Sequence, residues 1–365
     1  MSTYDIDIPT QGNCHPQTIS PSLSLAPLPH LRYNQNMNNN WDILGHEWAV
    51  NILKKSLEQG RVRHAYLLTG PDGVGRRTLA LRLAQALNCQ QSSTPGMPCG
   101  ICRDCLLFYR QQHPDLTIIT VGEGEQSIKV DQVREAQHAL NLTPYQATYR
   151  VAILLNFQLA TLSAANALLK TLEEPPPQVV MLLTAQDPEA LLPTISSRCE
   201  LIRLRPLSLS NLSKRLHQTH NIPEQQARLL AHVAGGRPGF ALKMHQNPDE
   251  LQRRVQWLDD LMDLINSSRL KRFDYAEILA KDRDRIPGQL SVWSSFWRDV
   301  LLVSSQASVP FTNIDRIDQI TDLARKVESR SAREIVEEIE HTIMLISQNI
   351  NPRLALENLL LRFTI

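Results

Sequence analysis

Two stretches of this chain hold residue types whose spacing could do chemistry. The first is GPDGVGRRTLA, residues 70–80. It nearly spells G-x-x-x-x-G-K-[ST], the loop in which backbone N–H groups and a helix start cradle phosphate, a Lys reaches the terminal phosphates and a hydroxyl holds Mg²⁺. Gly70, Gly73 and Gly75 supply the turn, but Arg76 stands where the Lys should be and Arg77 where the hydroxyl should be. A planar guanidinium is no substitute for a compact ammonium in a tight loop, and it cannot ligate magnesium. Thr78 comes one residue late and faces elsewhere on the helix. The reading is an inherited nucleotide fold with weakened or lost hydrolysis, favoured over a working ATPase and over a plain strand-to-helix turn.

The second stretch is NCQQSSTPGMPCGICRDC, with Cys89, Cys99, Cys102 and Cys105 spaced C-x9-C-x2-C-x2-C. Thiolates this close can share one tetrahedral ion, and Gly96, Pro98 and Gly100 provide the turns that aim them inward. A disulfide suits a reducing compartment poorly, and a redox C-x-x-C accounts for only part of the set. Structural zinc with no open ligand position is the expectation. Cys14 reads as a free thiol and Cys199 as a small packed residue. No Ser-His-Asp set emerges among the 11 His.

These residues need positioning elements. HAYLLTG reads as a strand ending in Gly70, and TLALRLAQALN as a helix with Leu79, Leu83, Ala86 and Leu87 at helical spacing. Upstream, WDILGHEWAVNILKKSLEQG predicts a helix with Trp48, Ile52, Leu53 and Leu57 on one face, closed by Gly60. An ATPase of this design also needs a strand ending in an Asp for Mg²⁺ and a Glu for the attacking water. The candidate strand RVAILL, residues 150–155, runs instead into Leu155 and Asn156. Two separate requirements of hydrolysis are missing. HPD, residues 113–115, reads as a turn into the strand LTIIT.

Length and charge bound the rest. With 365 residues, 42% of them hydrophobic, the chain suits two or three globular domains. Basic and acidic residues nearly cancel, 38 against 37, so any nucleic-acid contact must be local. The apolar runs fall short of a membrane span, and MSTYDIDIPTQ lacks a basic-then-apolar leader; a cytoplasmic protein without a membrane partner is expected. Residues 1–40, rich in Pro, Ser and Asn, read as a disordered tail. From residue 208 the pattern turns helical, with Pro223 opening a helix. Beyond 246, Ile335, Ile339, Ile343, Ile346 and Ile350 keep helical spacing, while Ser331 and Glu334 have capping-box spacing. SVWSSFWRDVLLV sets Trp293, Phe296 and Trp297 together in a helical bundle.

SAANALLKTLEEPPP followed by VVMLLTAQDPEALLPTISSRCELIRLRPLS resembles the core of the bacterial clamp-loader subunits, AAA+ proteins of the DNA polymerase III holoenzyme. The likeness runs over about residues 41–245 and continues more weakly through WRDVLL and NPRLALENLLL. It implies an α/β AAA+ domain over 41–207, its parallel sheet flanked by helices, carrying a zinc module at 89–105. A helical lid over 208–245 and an all-α collar over 246–365 that joins subunits complete it. Active members of the family keep the loop Lys and the acidic pair, and another class has a degenerate loop but keeps Ser-Arg-Cys; this chain matches the second pattern. By resemblance, Arg198 is an arginine finger presented to ATP on a neighbouring subunit. Phe240 occupies the place of the family's second sensor Arg, with Arg237 displaced by a turn, and Thr184 matches the first sensor. The implied partners are the gamma/tau ATPase and delta subunits, the sliding clamp and primer-template DNA. The rival readings are an active motor subunit of the same family and a zinc-dependent nucleic-acid-binding protein, for which no basic stripe with interleaved aromatics is evident.

Overall fold

The strands at the centre of this protein are continuous apolar runs rather than alternating ones, the pattern of strands covered on both faces. A computed structural model describes residues 41–92, 94–348 and 350–363; the predicted tail and Cys14 lie outside the described residues. In chain order the first elements are α1 (Glu47–Glu58), β1 (Ala65–Thr69), α2 (Arg76–Asn88), α3 (Arg103–Tyr109), β2 (Leu116–Ile119), α4 (Val130–Leu140) and β3 (Arg150–Leu154). There follow α5 (Leu162–Glu173), β4 (Val179–Ala185), α6 (Pro193–Ser196) and β5 (Glu200–Arg203). All pairings are parallel and the order across the sheet is β2-β3-β4-β1-β5. This is the α/β architecture of a parallel sheet flanked by helices that the sequence predicts.

Each sheet face has its own core. Leu53, Leu68, Leu79 and Leu83 pack with Val151 and Leu182 on the side of α1 and α2, and Leu67, Ala152 and Leu183 pack with Leu140, Leu168 and Leu172 on the side of α4 and α5. Helix α1 departs from the expected face. Its buried residues are Ala49, Val50, Leu53 and Lys54, while Trp48 and Ile52 each stay 48% exposed. Ala49 lets the helix approach closely, so the contact centres about one residue further round than the largest side chains suggest.

The rest is helical. Helices α7 (Leu209–His220), α8 (Glu224–Val233) and α9 (Pro238–Gln246) enclose a small core around Leu212, Leu216, Leu230 and Ala241. Beyond them lie α10 (Pro248–Ile265), α11 (Arg269–Ala280), α12 (Ile286–Ser304), α13 (Ile317–Ala324), α14 (Ser329–Ser347) and α15 (Pro352–Leu361). Trp293, Phe296 and Trp297 are fully buried in this last bundle, and both tryptophans meet the Phe363 ring at 5.9 Å, so they are core and not a surface for a partner. Ile335, Ile339 and Ile346 are buried as their spacing predicts, but α14 ends at Ser347 and leaves Ile350 40% exposed. The helix also begins at Ser329, which puts Ser331 inside it; Glu334 pairs with Arg330 one turn back instead of closing a capping box.

The segment HPD is more than a turn. His113 stacks on Phe108 at 4.2 Å, and the fully buried Asp115 carboxylate accepts from the backbone N–H of Tyr145, Gln146 and Ala147 and from Arg150. This pins the loop before β3 onto β2. Among the described residues, no helix is long and apolar enough to cross a membrane.

Candidate functional site

The glycine loop joins β1 to α2, and Arg76 at its end turns back onto Asp72 of the loop. Gly75 stands before the helix at φ 116°, a left-handed conformation that glycine adopts without strain. Arg76, at the first helical position, is only 7% exposed. Its Nη2 donates to Asp72 and, at 3.1 Å, to Asn156 Oδ1, while the other Asp72 oxygen accepts from Gln186 Nε2 at 3.0 Å. Burial pulls the Arg76 pKa down, and Asp72 works against that shift. The Gly70 N–H donates to Gln186 O at 3.0 Å and the Val74 N–H to Pro71 O, so both are committed within the protein. Arg77 and Thr78 are exposed, Arg77 bonding Gln111.

The α9 end covers this loop. Gly239 N–H donates to Gly73 O at 2.7 Å, and a Cβ on Gly73, whose φ is +78°, would lie 3.0 Å from Phe240. Phe240 therefore packs on the loop at the place expected for the second sensor. Arg237 lies over the Phe240 ring, 4.7 Å from its centre. Burial lowers its pKa, and the charge of Asp72 partly offsets that shift. At the end of β3, Leu155 is buried and Asn156 turns left-handed at φ 51°, its N–H donating to Thr184 Oγ1 at 2.8 Å. Thr184 is thus engaged as a backbone anchor. Asp72 and Gln186 had no distinguishing sequence signal, since a short motif does not reveal which distant side chain will neutralise its charge.

Arg198 lies at the other end of the sheet. The turn before β5 is built by Pro193 at the start of α6, by fully buried Ile195 and by Cys199, packed against the core with its thiol pushed up to about 12 by burial. That environment fits Cys199 as a packed residue and not a nucleophile. Arg198 points outward. Its Nη1 donates to Thr194 O at 2.8 Å and its Nη2 to Glu173 Oε1 at 2.7 Å. Because β1 and β5 run parallel with Tyr66 beside Glu200, Arg198 sits near the strand starts while the glycine loop follows the strand ends. About 13 Å of β1 separates the two levels.

The four cysteines converge. Their Sγ atoms all lie within 4.8 Å of one another, close to the ~3.8 Å edge of a tetrahedron with ~2.3 Å metal–sulfur bonds. Backbone N–H groups point at the sulfurs, Cys99 N to Cys89 Sγ at 3.1 Å, Cys102 N to Cys99 Sγ at 3.3 Å and Cys105 N to Cys102 Sγ at 3.4 Å. At Cys99 the hydrogen-bond donors outweigh burial and hold the thiol down at about 7, whereas burial pushes the Cys89 thiol up. Gln85 on α2 reaches Cys105 O, and Trp41 Nε1 reaches Gly96 O, so the module is tied to the core on two sides. The set can bind a metal ion.

Comparison with known proteins identifies the family. The family model described as DNA polymerase III, delta subunit, matches residues 45–208, and the corresponding C-terminal model matches 248–364. The chain is 31% identical to DNA polymerase III subunit delta' of Escherichia coli over 318 residues, covering 85% of this chain and 91% of that one. The delta' subunit of Pseudomonas aeruginosa is 37% identical over 203 residues, 55% of this chain and 61% of the relative. The E. coli tau subunit is 34% identical over 208 residues, but the match spans 32% of its length. The match to the E. coli delta' subunit thus covers 85% of this chain, whereas the matches to the P. aeruginosa delta' and E. coli tau subunits cover 55% and 56%.

Proposed function

The chain belongs to the DNA polymerase III delta-prime family of clamp-loader subunits, and from that premise we propose that it is the loader's non-hydrolysing member. It supplies Arg198 in trans to ATP on a neighbouring gamma/tau-type subunit while its own loop stays inert. The observation that carries this reading is the contrast between two arginines. Arg76 is turned inward and neutralised at the loop, and Arg198 is turned outward at the opposite end of the sheet. A guanidinium delivered across an interface can neutralise charge developing on a γ-phosphate without a base or metal of its own. With Leu155 and Asn156 at the end of β3, this chain offers no acidic pair for magnesium and water there.

In this reading residues 208–245 form the lid and residues 246–365 the collar, which joins the delta and gamma/tau subunits. The assembled ring acts on the sliding clamp at primer-template DNA. The cysteine module holds structural zinc through Cys89, Cys99, Cys102 and Cys105. Four protein thiolates leave no open position, so the ion cross-links the module and does no chemistry on a substrate.

The test is ATP turnover by the purified chain alone, then with the ATPase subunits, clamp and primed DNA added. The expected outcome is no turnover alone, a rise in the mixture, and at least a tenfold loss with Arg198→Ala in a loader that still assembles. Turnover by the isolated chain would instead make it a motor subunit.

A further inference from the structure

The helix ending in Glu-Glu-Pro and the turn carrying Ser-Arg-Cys are 25 residues apart in sequence, yet they meet in one contact, Glu173 Oε1 to Arg198 Nη2 at 2.7 Å. We propose that Glu173 is the positioning residue for Arg198, holding the guanidinium extended toward the neighbouring subunit's phosphates. This rests on the arginine-finger reading above.

The placement of Glu173 argues for a role beyond helix formation. It is the last residue of α5, where unpaired carbonyls make the helix end negative and a carboxylate is disfavoured. Pro175 follows two residues later and forces Glu174 out of helical geometry, to φ −124° and ψ 71°, which fixes the helix tip at Glu173. The cation of Arg198 offsets the misplaced charge. On the other side, Thr194 O holds Nη1 at 2.8 Å, so two of the five guanidinium N–H groups are clamped and three remain for an incoming anion.

Exposure separates this role from a stabilising one. Arg198 is 35% and Glu173 51% exposed, and such surface pairs contribute little to folding. Orientation is a different matter, because a catalytic cation displaced by about an ångström loses much of its effect. The pair is therefore worth more to turnover than to stability.

The experiment compares Arg198→Ala, Glu173→Ala and Glu173→Gln in the assembled loader, with kcat and KM for ATP measured separately and the melting temperature of each purified chain recorded. Glu173→Ala should lower kcat about three- to tenfold, short of the full loss of a finger, with KM and melting temperature unchanged. Glu173→Gln keeps the acceptor oxygen and should recover most of the rate. If Glu173→Ala turns over normally while Arg198→Ala is impaired, the finger stands and the positioning role is wrong. A faster Glu173→Ala enzyme would mean that the carboxylate competes with phosphate, which also overturns the proposal, as would a loss of rate matched by a loss of melting temperature. Normal turnover by Arg198→Ala would remove the finger itself.

Discussion

A guanidinium at the mouth of a glycine loop must give up water, and Arg76 does so against Asp72 and Asn156, while Arg198 keeps about a third of its surface in solvent. The substitution of Arg for the loop Lys was legible in the sequence; where the charge would go was not. Asp115 is the sharper case, a residue that reads as part of a turn and proves to hold a distant loop. Burial pushes its carboxyl pKa up, but three backbone N–H donors and Arg150 outweigh that and leave it below the usual carboxylate value. Its contribution to stability is therefore complete above the unfolded-state pKa of about 4 and is lost as pH falls below that. Asp115→Ala leaves Arg150 buried without its anion and should destabilise the chain by about 3–5 kcal/mol in urea unfolding at neutral pH. The deficit should shrink in acid, where the wild-type carboxyl protonates too.

Among the elements, the cysteine module is the one whose side chains form a set that can bind a metal ion. Its segment between α2 and α3 is short and rich in turns, tied down by Gln85 and Trp41. Four thiolates brought within 4.8 Å repel one another unless a cation is shared. Zinc analysis of the purified chain should give one ion per chain. Cys102→Ser should abolish that stoichiometry and lower the melting temperature, with increased amide exchange confined largely to residues 89–113. The spacing of the cysteines predicted the cluster because neighbours in sequence supply three of its members. The face of α1 was misjudged for a related reason: periodicity identifies an apolar side, but the partner helix and sheet decide which degree of rotation buries it, and Ala49 proved to matter more than Trp48.

For the whole molecule, near-neutral charge sets how it can meet DNA. With 38 basic and 37 acidic residues, the isolated chain lacks the field that drives tight nonspecific binding. Fluorescence anisotropy should find weak binding to primed DNA by the chain alone and strong binding only by the assembled loader. Tight, steeply salt-dependent binding by the chain alone would favour the zinc-dependent nucleic-acid reading. What the sequence determined by itself was whatever rests on local order: the buried strands, the strand-loop-helix frame, the missing Lys and acidic residues, and the cysteine spacing. Tertiary structure decided the long-range pairings. It set Phe240 against Gly73, Asp115 under the 145–147 loop, and Glu173 beside Arg198. Each joins residues far apart along the chain, and charge or apolarity alone does not select a partner until the parallel sheet and its crossovers have fixed which loops share an end.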